Sequence, residues 1–177
     1  MAGDLKVKYP ASNADSAAIT IGLATGPLAS SSTLLAGREA TAIVNTTDLD
    51  INKPVTGLVT VGTSPTANTR IEIWATMPIK IASGTATWGD SMTGSDANFT
   101  STSDGIKFAM FVLIKSINVD STTSNRPYPF IGRSLEEAFG FMPPMVNFWV
   151  THNTGVALNS TAGNHYIHLH RIQHQYT

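Results

Sequence analysis

Four of the five histidines fall in residues 164–177, NHYIHLHRIQHQYT, at His165, His168, His170 and His174. In an extended strand, alternate side chains share a face. Tyr166, His168, His170, Ile172, His174 and Tyr176 then line one side, and His165, Ile167, Leu169, Arg171 and Gln173 the other. An H-x-H pair on one face sets two imidazoles within reach of one zinc ion, which needs a third and usually a fourth protein ligand. His152 lies in the strand expected to pair with this one and is the nearest further donor; His174 is too far along for one ion to bridge from His168. The last carboxylate side chain is Glu137, and there is no cysteine. His168, His170 and His152 are therefore the one metal alternative. The expected role of Tyr166, His168, His170 and His174 is a polar, interface-forming strand face, because aromatic and imidazole groups suit burial against a neighbouring subunit.

Other chemistry is sparse. No G-x-S-x-G elbow occurs, and the serines sit in runs such as ASSST and TSTS that read as solvated loops. Glu136 and Glu137 are adjacent in an expected helix, where neighbours in sequence do not face each other. The segment GREATA does not lead from a strand into a capped helix, so it makes no phosphate loop. No catalytic residue and no cofactor are expected. Trp74 and Trp149 lie in apolar strand patterns and read as core or sheet-face residues. Trp88 lies in a long polar stretch, where its ring could stack on a sugar.

Composition narrows the partners. Of 177 residues, 42% are hydrophobic and 13% charged, against about 25% charged in a typical soluble domain. Hydroxyl and amide side chains fill the difference, which favours packing against protein. Net charge is −1 and the eleven Lys and Arg are scattered; nucleic acid is not an expected partner. No stretch approaches the roughly 18 apolar residues of a membrane span, so no membrane is expected either. The opening MAGDLKVKYP lacks an apolar core of signal-peptide length. Without cysteine, disulfides and thiolate metal sites are excluded.

The elements that must position these residues are mostly strands. LKVKY alternates Leu5, Val7 and Tyr9 with Lys6 and Lys8, and residues 1–16 read as an extended arm ahead of one domain at 17–177. AITIGLA sets Ile19, Ile21 and Leu23 on one face. LLAGREATAIVNTT predicts a strand near 40–45. GLVTVG and RIEIWATM read as a hairpin across a turn-forming loop. Residues 82–105 form a polar stretch long enough to be functional or to hide short strands. IKFAMFVLIKSINV reads as strand from its β-branched and aromatic content, and STTSNRPYP as loop. SLEEAFG predicts a helix, with Ser134 and Glu137 as a capping box and Gly140 as the terminator. MVNFWVTH and NHYIHLHRI read as a second hairpin. About eight strands and one short helix near 134–140 predict an all-β fold, an antiparallel, jelly-roll-like β-sandwich.

Three segments, TLLAGREATAIVNTTDL, KPVTGLVTVGTSPTANTRIEIW and NFWVTHNTGVALNSTAGNHYIHLH, resemble small structural proteins of tailed bacteriophages, over a span from about Ala18 onward. The resemblance implies a β-sandwich component of the virion, assembled in the host cytoplasm: a capsid decoration (cement) protein, a head-fibre base or a tail component. It carries over no catalytic residue, and the histidine-rich end departs from it. The implied partners are the major capsid protein or other virion proteins, and further copies of the chain as a dimer or trimer. Leu5, Val7 and Tyr9 of the arm, with the C-terminal strand, are the expected contact surface, since a β-arm can add to a neighbour's sheet edge. The rival expectations are a tail, collar or fibre component, and a carbohydrate-binding module using Trp88.

Overall fold

The computed structural model describes residues 5–9, 27–47, 49–161 and 163–176. In chain order the elements are β1 (Leu5–Lys8), β2 (Ala36–Glu39), β3 (Ile43–Val44), β4 (Val55–Thr60), β5 (Thr69–Thr76), β6 (Lys80–Ala82), β7 (Thr85–Thr87), β8 (Ala97–Thr100), α1 (Asp104–Met110), β9 (Val112–Val119), β10 (Pro127–Ile131), α2 (Leu135–Phe139), β11 (Met145–His152), β12 (His165–Leu169) and β13 (Gln173–Tyr176). The expected strand AITIGLA lies outside the described residues.

The protein is an all-β antiparallel sandwich. A large sheet runs β8-β2-β11-β5-β9, with β3 also paired to β11, and faces a small sheet, β10-β4-β12. Six strands against three depart from the even eight of a regular jelly roll. Val55 and Val59 of β4, Tyr128 and Phe130 of β10, and Ile167 and Leu169 of β12 point inward. They meet Ile71, Ile73, Ala75, Ile114, Ile117, Val146, Phe148 and Val150 of the large sheet in one apolar core. The alternation that sets these faces was read in the segments of β4, β5 and β12.

Both expected hairpins are replaced by crossings between sheets. β4 pairs with β10 and β12, whereas β5 pairs with β9 and β11. β11 and β12 likewise lie in different sheets. Alternation records which side chains face a core, not which strand lies alongside; in a sandwich, sequence neighbours often face each other across it.

The other face of the large sheet is also covered. Trp74 and Trp149 project from it into a second cluster with Trp88, Met92, Phe99 and Phe111. The cover is the chain from 77 to 111, read from sequence mainly as loop. It carries β6, β7 and α1, and also β8, which is an edge strand of the large sheet itself. Helix α1 replaces the first half of the strand expected at IKFAMFVLIKSINV. Ser103 caps it, its Oγ accepting from the Ile106 N–H at 3.2 Å, and Asp104 sits in the first turn, favourable to the helix dipole. An apolar run without a period does not separate helix from strand. The loop expected at STTSNRPYP holds over residues 121–126, and β10 takes its last three residues.

Helix α2 forms where SLEEAFG predicts it. Ser134 Oγ accepts from the Glu137 N–H at 3.2 Å, and Gly140 closes the helix at φ 77°. The Glu137 carboxylate does not complete the box; it accepts from Arg133 Nε at 3.3 Å instead. Phe148 is fully buried at the centre of the inter-sheet core. Phe148→Ala is expected to lower stability by about 3–5 kcal/mol, read as a fall in the urea midpoint with little change in slope.

Candidate functional site

The terminal strands β1 and β13 pair antiparallel, with Leu5 opposite Tyr176, Val7 opposite His174 and Lys8 opposite Gln173. They form a two-stranded ribbon separate from both main sheets. Alternation puts Leu5, Val7 and Tyr9 on one face and Lys6 and Lys8 on the other. The three apolar side chains are 53%, 56% and 71% exposed. The ribbon is anchored at its C-terminal strand. Ile172 accepts from the Ile51 N–H at 2.8 Å and donates to the Asn52 carbonyl at 3.1 Å. Just before it, Arg171 Nε donates to the buried Asp50 carboxylate at 3.0 Å, which also pairs with Lys53 Nζ at 2.7 Å. Burial alone would raise the Asp50 carboxyl pKa, but the hydrogen bonds and charges of Lys53 and Arg171 outweigh it and hold it below the usual range.

The second surface is the outer face of the small sheet. Tyr166 and His168 point outward from β12 while His165, Ile167 and Leu169 point in, as the alternation predicts. The register continues them across the sheet: Tyr166, Leu58 and Pro129 form one row, and His168, Thr56 and Ile131 the next. The Tyr166 and His168 rings lie 4.6 Å apart. His170 Nε2 is 2.9 Å from Thr56 Oγ1. Ile131 is 77% exposed. None of the three strands contains Asp, Glu, Lys or Arg. Pro127 and Pro129 lack N–H groups and sit in an edge strand, which discourages strand addition there and leaves the face itself for contact. Leu58, Pro129 and Ile131 were missed from sequence, although PYPFI alternates in the required way.

The alternative metal set does not assemble. His152 belongs to the large sheet and is fully buried, with Nε2 3.1 Å from the Leu28 carbonyl and Nδ1 3.0 Å from Thr154 Oγ1. His168 and His170 thus gain no third imidazole from it. Among the described residues no three His, Asp or Glu side chains form a group that could hold a metal. His174 lies on the ribbon, beyond the break in strand register at residues 170–172.

His165 points inward from the small sheet, close enough to His152 for their charges to interact. His165 Nδ1 accepts from the Thr60 N–H at 3.3 Å, and its Nε2 lies 2.7 Å from the Asn159 carbonyl. Both rings tie connecting segments to the sandwich. Burial pushes His152 down to about 4, partly opposed by its hydrogen bond to Leu28, and burial lowers His165 as well. A folded pKa below the unfolded value of 6.5 means that the native state holds neutral imidazole while the unfolded chain takes up the proton. Stability is therefore full above pH 6.5 and falls as pH drops toward 4, by about 3 kcal/mol from His152 alone. Urea midpoints measured from pH 7 to 4 should show this fall, and His152→Gln should flatten it.

Trp88 does not offer its ring to solvent. It is 9% exposed and packs in the second cluster, and a Cβ at Gly94 would strike its indole. Trp74 and Trp149 are core residues, as expected.

Fold and surface together define an antiparallel β-sandwich with a projecting terminal ribbon and one uncharged sheet face. No family model, no curated protein and no solved structure matches the chain.

Proposed function

We propose that this protein is a non-enzymatic structural component of a tailed-phage virion, a decoration or cement protein that docks on the capsid shell as an oligomer and stabilises it. The observation that carries this reading is the ribbon, whose apolar row is exposed although the sandwich has ample core of its own. Burying the exposed part of Leu5 and Val7 is worth roughly 1–2 kcal/mol each, so one arm binds weakly. Many copies on a regular shell convert such contacts into firm attachment. The uncharged outer face of the small sheet supplies a second surface, with Leu58 and Thr56 at its centre and Tyr166, His168 and His170 along its β12 edge. The phage context comes from the resemblance of the three quoted segments. The major capsid protein is the partner, and the virion the location.

A tail, collar or fibre position is the rival within the same class. The carbohydrate-binding alternative loses its main support with the burial of Trp88. Deleting residues 1–10 should weaken attachment to purified particles while leaving the thermal transition of the isolated protein nearly unchanged. Normal coating by the truncated protein would remove the arm from the reading. Quantitative mass spectrometry of particles separates the positions: a ratio to the major capsid protein near a simple fraction fits the shell, and a trace amount fits the tail.

A further inference from the structure

The two described ends of the chain meet in a single ribbon, and their roles in it differ. β13 is fixed to the body through Ile172 and the Arg171–Asp50 pair. β1 has β13 as its strand partner and pairs with neither main sheet. We propose that β1 is an exchangeable arm: in the assembled protein, β1 of one copy pairs with β13 of a second copy, in the register that sets Val7 opposite His174. This inference rests on the assembly role proposed above and names a second copy of the chain as the arm's partner.

Reach is sufficient. The chain between Lys8 and Leu28, if fully extended, spans roughly 60 Å. Pairing within one copy and between two copies makes the same backbone hydrogen bonds, so the ladder itself does not choose. The side chains do. A lone two-stranded ribbon is marginal in water, and this one leaves Leu5, Val7 and Tyr9 exposed on one face. Lys6 and Lys8 lie on the opposite face, so two such ribbons can meet apolar face to apolar face with their cations directed away. That surface is self-complementary, as a two-fold contact requires. A tethered arm meets its own β13 at an effective concentration on the order of millimolar. Exchange therefore gains when copies are crowded, as they are on a shell.

The chain has no cysteine, so introduced thiols report without background. Directly opposed residues of an antiparallel pair have Cβ atoms about 4.5–5.5 Å apart, close enough for a disulfide with slight adjustment. Val7 and His174 are both exposed, so folding is not at stake. Val7→Cys and His174→Cys proteins, mixed at increasing concentration and oxidised, should give a covalent dimer containing one of each. Lys6→Cys mixed with His174→Cys, whose thiols lie on opposite ribbon faces, should give little. The inference is overturned if the double variant Val7→Cys/His174→Cys closes within single chains while the mixed single variants stay monomeric at every concentration. It is equally overturned if neither combination cross-links. The experiment uses purified protein without particles, so its failure and the failure of capsid docking are read separately.

Discussion

The central strands β5 and β11 are buried on both faces, and the rest of the structure follows from what that burial demands. Toward the small sheet they present Ile71, Ile73, Val146, Phe148 and Val150, which need only apolar neighbours. On the other face they present Glu72 and Asn147 beside Trp74 and Trp149. A buried carboxylate must be paired or hydrogen-bonded. Glu72 accepts from Lys107 Nζ at 2.6 Å and from Trp74 Nε1 at 3.0 Å, and pairs with Arg70 at 2.7 Å. The Lys107 ammonium also donates to the Leu34 carbonyl at 2.9 Å and lies 4.7 Å from the centre of the Trp74 ring. Glu39, 1% exposed, accepts from the Thr93 and Gly94 N–H groups, each at 3.0 Å, from the Thr93 hydroxyl at 2.8 Å and from Asn147 Nδ2 at 2.9 Å. Removing one partner from such a buried set costs far more than the set contributes in net stability. Helix α1 and the 89–96 segment are therefore held against the sheet by polar groups as firmly as by the aromatic cluster.

This arrangement decides where the protein can meet other molecules. With both faces of the large sheet occupied, the outward sheet face is that of β10-β4-β12, and it carries no charge. The aromatic residue that looked most like a ligand platform, Trp88, is instead consumed by the cover. The histidines divide by the same geometry. His152 and His165 face inward, where neutral rings hold segments across the two sheets. His168 and His170 face outward beside Tyr166, and His174 belongs to the ribbon. Four closely spaced histidines thus serve three physical roles, none of which requires a shared ligand.

The ribbon stands apart from this closely packed body. It carries backbone pairing of its own but little side-chain cover, which is a poor arrangement for an isolated chain and a suitable one for a chain that finishes its packing against a neighbour. The Arg171–Asp50–Lys53 cluster sits where rigidity is needed, at the junction between the small sheet and β13. A contact made by the ribbon is thereby passed to the sandwich through a buried ionic anchor.

Much of this was legible in the sequence. The all-β class followed from period-two runs and turn residues. The inward and outward faces of β12 followed from alternation in HYIHL, and α2 from Ser134 and Gly140, because caps and pleats depend on neighbours a few residues away. Only the tertiary structure decided which strands lie side by side, since pairing joins distant residues and alternation is equally satisfied by a hairpin or by two strands facing across a core. It alone put His152 in the large sheet rather than beside His168, and it alone buried Trp88. Helix α1 belongs there too: an apolar run suits helix or strand, and the helix sets the Lys107 ammonium 2.6 Å from Glu72, a carboxylate 35 residues earlier in the chain.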